Sequence, residues 1–359
     1  MNNKIDLLVD LVQDFTIMHA VAIEVGRGTD YAVRILLNKE SSSRGIFYTS
    51  RLYALAKSNN YEVTERSAAD IFMTTENKPA LIITSSESSS PNHSFARELI
   101  MRARRSGIPT IGIQHGYECV GVNHHPSQDN DYPYGVRLNT DFVTTWQPLS
   151  KVRSKSIFTS SRLIPTGPIS FFSRLAFLTS RGRHFHPMSN QAKTDRQQKK
   201  KSVLICDNSH SPRFRIQGRR EAFRKFCIGL SKANQLEAIV RMHPANRFPV
   251  TSGLGFTQHD GELNPYSLAG YDLIISPPSS IIVDAASIQV PVAVWTDHVI
   301  PNDTTNYIPL PVVSTSQDAL ATLELPVEST RSLCKEFIDD NLASCYGGKR
   351  LINLISTIL

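Results

Sequence analysis

The chain has 359 residues, 40% of them hydrophobic, with a formal net charge of +7 and five cysteines. That length suffices for two domains with a core in each, and no run approaches the roughly 18–20 consecutive apolar residues of a membrane-spanning helix. Cys119, Cys206, Cys227, Cys334 and Cys345 are scattered, odd in number and never in a Cys-x-x-Cys pair, which indicates neither a disulfide framework nor a structural zinc site.

In chain order, the N-terminus lacks the basic-then-apolar layout of a signal peptide, so a soluble protein that stays in the cytosol is expected. Short runs rich in β-branched residues at 32–37, 80–84, 110–113 and 142–145 read as buried strands, and 95–105 reads as a helix. Strands interleaved with helices imply a parallel sheet. From Arg174 to Lys201 the chain is polar and basic without a sustained period, which reads as a linker. A second series follows, with strands at 202–206, 238–242, 273–275 and 290–295, helices at 219–233 and 281–287, and helical patterns at 328–342 and 348–359. The division expected is a first domain over 1–172, a basic linker over 173–201 and a second domain over 202–359 that includes the C-terminal helices.

The positive charge is concentrated. From Lys151 to Lys225 there are 18 Lys and Arg against three acids, whereas the rest of the chain holds 21 against 29. Such a segment suits an anionic partner such as nucleotide phosphates, a lipid-phosphate acceptor or an anionic membrane surface. Nucleic acid is not expected, because the segment has no interleaved aromatic platforms and no groove-reading helix.

Parallel α/β domains bind ligands beyond the carboxyl ends of their strands, so the residues just after each strand are the candidates. After Ile113 come Gln114, His115 and Gly116. A glycine can take positive φ, which would turn His115 outward as a proton-transfer group, although a histidine bonded at a strand end reads the same way. The strand ending in Arg241-Met242-His243-Pro244 places a permanent cation and an imidazole on one face, a grip for phosphate oxygens or else a structural turn. In Ser276-Pro-Pro-Ser-Ser280, Ser280 reads as the N-cap of a short helix whose free N–H groups make an anion site, with Asp284 one turn on. Asp207-Asn208-Ser209-His210 forms a polar cluster at the first strand end of the second domain, which turn chemistry explains equally well. His124-His125 and His184-Phe-His186 lack the spacing of metal ligands, and no metal is expected.

In this order and spacing, Gln114-His115-Gly116, Asp141 to Trp146, Ile164-Pro-Thr-Gly-Pro168, Arg241-Met-His-Pro244, Ser276 to Asp284 and Gln289 to Trp295 resemble the GT-B glycosyltransferases of bacterial surface-polysaccharide synthesis. The resemblance covers most of the chain. It implies two Rossmann-like α/β/α domains facing across a cleft, a nucleotide-sugar donor (CMP, CDP or UDP), a lipid-linked or oligosaccharide acceptor, no cofactor and no bound metal. It further implies that His243, Ser279 and Ser280 hold the donor phosphates, Asp284 the ribose, and that His115 with Gln114 and Gly116 serves the acceptor side. Arg241, Asn208 and Ser209 complete the expected donor set, with His115 and His243 as the catalytic pair. The chain departs from teichoic-acid polymerases, which carry Trp-His-Gly and Asp-Tyr-Ser-Ser where this chain has Gln-His-Gly and Pro-Pro-Ser-Ser. Many relatives have Glu near Asp284, and His-Pro with Ser-Ser also resembles transferases of CMP-activated acidic sugars. The alternatives are a CDP-glycerol-type polyol-phosphate transferase on the same scaffold and a non-catalytic partner of a larger synthase. Peripheral contact with the inner membrane face through 151–225 is a further expectation, with solvated linker charge as its alternative.

Overall fold

The computed structural model describes the chain outside residues 1–3, 12–13, 40–45, 67–77, 86, 120–121, 124–135, 153–156, 159–161, 182–199, 244–245, 260 and 262. The chain divides into two units, one of Met1–His124, Tyr132–Arg174 and Leu342–Leu359, the other of His125–Asp131 and Leu175–Asn341. No described helix is long and apolar enough to cross a membrane.

The first unit runs through β1 (Lys4–Val9), α1 (Asp14–Gly28), β2 (Ala32–Asn38), α2 (Ile46–Asn59), β3 (Glu62–Arg66), β4 (Leu81–Thr84), α3 (Ser94–Arg105), β5 (Thr110–Ile113), β6 (Arg137–Leu138), β7 (Phe142–Thr145), β8 (Ile157–Phe158) and β9 (Arg162–Pro165). Seven of these strands form one parallel sheet in the order β3-β2-β1-β4-β5-β7-β9, and β6 pairs with β8. A parallel sheet is covered on both faces, so side chains alternate between two apolar layers. Ile5, Leu7 and Val9 pack with α1, whereas Leu8, Leu36 and Ile82 pack with Phe95, Leu99 and Ile100 of α3. Burying each such side chain stabilises by about 1.5–3 kcal/mol.

Strand β1 and helix α1 escape a periodicity reading because Asp6 interrupts the apolar run. In the fold Asp6 is buried and receives a bidentate pair from Arg34 on the neighbouring strand, Nε to Oδ1 and Nη2 to Oδ2, both at 2.7 Å. The boundaries also move. Helix α4 (Phe171–Arg181) occupies the start of the expected linker, because Phe172 and Ala176, four apart, are both buried. The rest of that linker, 182–199, and both loop-histidine pairs, His124-His125 and His184/His186, lie outside the described residues.

The second unit contains β10 (Lys201–Asp207), α5 (Arg219–Ser231), β11 (Leu236–Met242), β12 (Thr257–Gln258), α6 (Pro265–Leu268), β13 (Leu273–Ser276), α7 (Ser280–Ser287), β14 (Val292–Trp295), β15 (Val312–Val313), α8 (Ser316–Glu324) and α9 (Val327–Asn341). Its parallel sheet has the order β12-β11-β10-β13-β14-β15. Phe223, Phe226 and Leu230 of α5 pack with Trp295 and the inner face of the sheet. The last helix, α10 (Gly348–Ile358), belongs with the first unit and not the second, because Leu351 and Ile355 are buried in the layer that contains α1.

Two arginines of the basic segment, Arg213 and Arg219, are internal. Arg213 and Arg219 are buried against Asp303, and Arg219 also bonds Asp297 at 3.0 Å and lies over the Trp295 ring at 5.3 Å. Arg174 pairs with Glu24, and Arg220 and Arg224 donate to the carbonyls of Ser209 and Val250. A local charge count misses these because the partners lie as far as 150 positions away.

Candidate active site

Both sheets reverse their strand order beside the first strand, between β1 and β4 in one unit and between β10 and β13 in the other. A crevice opens at such a point beyond the carboxyl ends. In the second unit β10 ends in Asp207, whose Oδ2 accepts from the backbone N–H and hydroxyl of Thr251 at 2.9 and 2.8 Å. Its Oδ1 accepts from the Ser209 N–H and from Asn246 Nδ2, both at 3.0 Å. Asp207 thus ties the loops together and leaves Asn208 at the switch point.

The Asn208 amide crosses to β13 and donates to the Ser276 hydroxyl at 3.0 Å; Ser276 Oγ lies 3.0 Å from Ser279 Oγ. The N-cap of α7 is Ser279, in extended backbone, and not Ser280, which is the first helical residue. Ser279 makes no side-chain cap bond, and its carbonyl accepts from the Ile282 N–H at 3.3 Å. Pro277 and Pro278 force the extended approach that places the cap one residue earlier than expected. Ser279 and Ser280 are both half-buried.

Beside them, Arg241 lies in register with Cys206 and donates to the Met242 carbonyl at 2.7 Å. His243 is exposed and stacks on His210 with ring centroids 3.9 Å apart. Enclosure by neighbouring atoms, then the charges of His210 and Arg241, push the His243 pKa down to about 3. Asp284, half-buried on α7, has its pKa raised to about 7 by burial alone. Ser209, expected to bind the donor, is instead engaged inside its loop: its hydroxyl accepts from Asn246 and from the Val250 N–H. His210 completes the constellation; it stood in the polar cluster after β10, but nothing in the spacing singled it out from its neighbours.

In the first unit β5 leads into Gln114, which is buried and saturated. Its Nε2 donates to the carbonyls of Gly116 and Tyr117, and its Oε1 accepts from the Trp146 N–H. Asn123 and Gln147 donate to the same Tyr117 carbonyl at 3.1 and 3.0 Å. Gln114 therefore fixes the turn and does not face a ligand. Gly116 is buried and is not among the positive-φ glycines of the described residues, so the turn is held by these amides.

The turn presents His115. Its Nδ1 lies 3.0 Å from the Ser85 carbonyl, which assigns a proton to that nitrogen, and the Cys119 sulfur lies 3.5 Å from Nδ1 and 3.9 Å from Nε2. Ser85 Oγ donates to Asp14 Oδ1 at 2.6 Å, and Asp14 Oδ2 accepts from the N–H groups of Asp10 and Leu11. Burial disfavours the charged ring, but Cys119, Asp14 and the Ser85 carbonyl outweigh it and raise the His115 pKa to about 9. His93, edge-on at 6.2 Å, is pushed down to about 4 by burial and by the His115 charge. Ser85, Glu87, Ser88, His93, His115 and Cys119 line a cavity of about 20 Å³, space for one water-sized group. Asp14, His93 and Cys119 are the residues a motif reading missed, since they come from α1, the start of α3 and the far side of the turn.

Among the described residues no group of three or more His, Cys, Asp or Glu is placed to hold a metal ion. The one Asp-x-Asp spacing of the chain, Asp129-Asn130-Asp131, a metal-binding pattern in some glycosyltransferases, lies outside the described residues.

No family model matches the chain, and no curated protein matches it. Solved structures do. A UDP-GlcNAc 2-epimerase from Neisseria meningitidis, bound to UDP-GlcNAc, is 13% identical with a TM-score of 0.57 and 99% of each chain covered. MurG of Acinetobacter baumannii is 10% identical at 0.55, again over 99% of both chains. The wall teichoic acid polymerase TagF, with CDPG, is 12% identical at 0.52, covering 99% of this chain and 88% of that one. Together with two parallel sheets of doubly wound order, these likenesses show that this chain has a GT-B glycosyltransferase-like fold.

Proposed function

We propose that the protein transfers a sugar from a CMP-, CDP- or UDP-activated donor to a growing cell-surface glycan, with the donor on the second unit and the acceptor on the first. The observation that carries this reading is the second unit's switch point, where Asn208, Ser276 and Ser279 converge at the N-terminus of α7. Hydroxyls and a helix end suit a pyrophosphate, and they would stabilise the charge that develops as the nucleotide departs. In this reading His243 donates to a phosphate oxygen, Arg241 adds positive charge beside it, and Asp284, one turn along α7, meets a ribose hydroxyl.

His115 keeps its proton to about pH 9, so near neutral pH it orients an acceptor oxygen by donating a hydrogen bond. The small cavity beside it admits a hydroxyl or similar group, not a whole sugar ring. Structural neighbours bound to UDP-GlcNAc and CDPG support a nucleotide-linked donor. The likeness to TagF favours one second reading, transfer of a polyol phosphate from a CDP-linked donor.

The test is nucleotide release from CMP-, CDP-, UDP- and GDP-activated donors, with and without glycan acceptors. Acceptor-dependent release marks transfer, whereas interconversion of the donor sugar without release marks an epimerase and overturns the reading. His115→Ala and His243→Ala should each lower turnover by roughly 10²–10⁴-fold; full turnover in both variants would remove these residues from the mechanism. The basic segment 151–225 is retained as a contact for anionic lipid, with the internal arginines above removed from it. Flotation with anionic but not neutral vesicles supports it, and equal behaviour with both removes it.

A further inference from the structure

The arginines of helix α3 are not alike. Arg102 pairs with Glu98 at 2.6 Å, and Arg104 pairs with Asp141 at 3.2 Å and donates to the Asn139 carbonyl at 2.8 Å. Arg97 is half-buried, its Nε is enclosed with no hydrogen-bond partner, and among the described residues no ion pair includes it. We propose that Arg97 is the anion-recognising residue of the first unit's site, where its guanidinium receives an oxyanion, phosphate or carboxylate, carried by the acceptor. The inference rests on the reading of the first unit as the acceptor side.

Position and chemistry both point there. His93, at the N-cap position of α3, and Arg97 are four apart and so share a face, and the His93 ring meets His115 edge-on at 6.2 Å. Arg97 is also near enough for its charge to act on Glu87, which lines the cavity beside His115. Glu87 is already engaged: its Oε2 accepts from the N–H groups of Asn139 and Thr140 at 2.9 and 3.3 Å, and its Oε1 from Asn139 Nδ2 at 2.6 Å. Asp14 is held by the Asp10 and Leu11 N–H groups and by the Ser85 hydroxyl. Both acids are therefore committed within the chain, while the guanidinium is not. A solvated helix face would account for an exposed arginine, but this Nε–H is shut away from water, where a donor without a partner is costly. A guanidinium presents its N–H groups as a planar fork that matches two oxygens of a phosphate or carboxylate. Four residues of helix rise about 6 Å, so such an anion would sit on the order of 10 Å from the His115 ring. It identifies the acceptor and does not itself react.

The experiment follows the Arg97 Nε–H resonance by nitrogen-resolved NMR in the full chain, titrated with inorganic phosphate, with glucuronate and, as a neutral control, with glucose. Arg97→Lys, which keeps the charge and removes the Nε–H, assigns the resonance. It should move with phosphate or glucuronate and stay still with glucose. A response to phosphate alone supports a phosphate-bearing acceptor, to glucuronate alone a carboxylate-bearing one, and to both a general oxyanion site. No movement with either anion, or an equal response to glucose, overturns the proposal. In the nucleotide-release assay, Arg97→Ala should lower the preference for anionic over neutral glycan acceptors about tenfold or more, and Arg97→Lys should restore part of it, as expected for a charge-assisted bidentate contact. An unchanged preference in Arg97→Ala also overturns it. Should Arg97→Ala fail to fold, the native titration and Arg97→Lys decide the matter. An anion response in a protein that releases nucleotide from no donor would leave the site standing and sink the glycosyl-transfer reading.

Discussion

The two units share one strand order about their switch points, β3-β2-β1-β4-β5 and β12-β11-β10-β13-β14, and place opposite chemistry there. In the first, the Cys119 sulfur, the Asp14 carboxylate and the Ser85 carbonyl outweigh desolvation and raise the His115 pKa. In the second, hydroxyls, an amide and a helix end lie beside His243, whose pKa falls through desolvation first and then through the charges of His210 and Arg241. Topology supplies the same crevice twice. The side chains at the strand ends decide whether it holds a cation of its own or waits for an anion to arrive.

The units also bury charge differently, and the largest expected effect tests that difference. Asp6 and Arg34 form a closed pair, whereas Arg219 serves two carboxylates at once. Breaking a buried pair costs about 3–5 kcal/mol, so Arg34→Ala and Arg219→Ala should both destabilise, with Arg219→Ala at the upper end because Asp297 loses its ion pair and Asp303 keeps only Arg213. Urea unfolding measures both; an effect below 1 kcal/mol at Arg219 would mean that water already reaches the network.

Next in size is Asp284. A carboxyl whose folded pKa is raised above its unfolded value contributes stability only at low pH and loses it as pH rises through the folded value, here about 7. Asp284→Asn should therefore stabilise the second unit by about 2 kcal/mol at mildly alkaline pH, and weaken nucleotide binding if the carboxyl meets the ribose. Stabilisation with unchanged affinity would take Asp284 out of the site.

Smaller again, Ser279→Ala and Asn208→Ala should each weaken nucleoside-diphosphate binding about tenfold by calorimetry, the worth of one charge-assisted hydrogen bond. His115→Ala should leave that affinity within about twofold, because His115 is assigned to the acceptor. Equal losses in all three would erase the division of labour between the units.

The smallest effect is a slope. The raised His115 pKa stabilises below the ordinary imidazole value of 6.5 and loses that contribution as pH rises through about 9. The lowered His243 and His93 pKa values act the other way, so stability is lost as pH falls from 6.5 toward 3 or 4. Thermal melts should show the alkaline limb disappear in His115→Ala and the acid limb soften in His243→Ala.

How much of this was legible in the sequence follows from the range of the forces. The runs at 110–113, 273–276 and 292–295 are local, so strand, buried face and the polar residue at each strand end could be read directly. Helix α7 was readable to within one residue, and its cap moved from Ser280 to Ser279 only because the two prolines shape the approach. Asp6 hid β1 until Arg34, 28 positions on, balanced it. Gln114 and Ser209 looked like ligand contacts because the carbonyls and amides that occupy them belong to other segments.

By itself, then, the sequence determined two parallel α/β units and a set of polar strand ends, since period and β-branching act between near neighbours. The tertiary structure alone decided that the last helix rejoins the first unit, that Arg213 and Arg219 of the basic segment turn inward, and that Cys119, Asp14 and Ser85 converge on His115. Those outcomes depend on buried charges and hydrogen bonds, whose partners are chosen by proximity in the folded chain and leave no periodic trace along it.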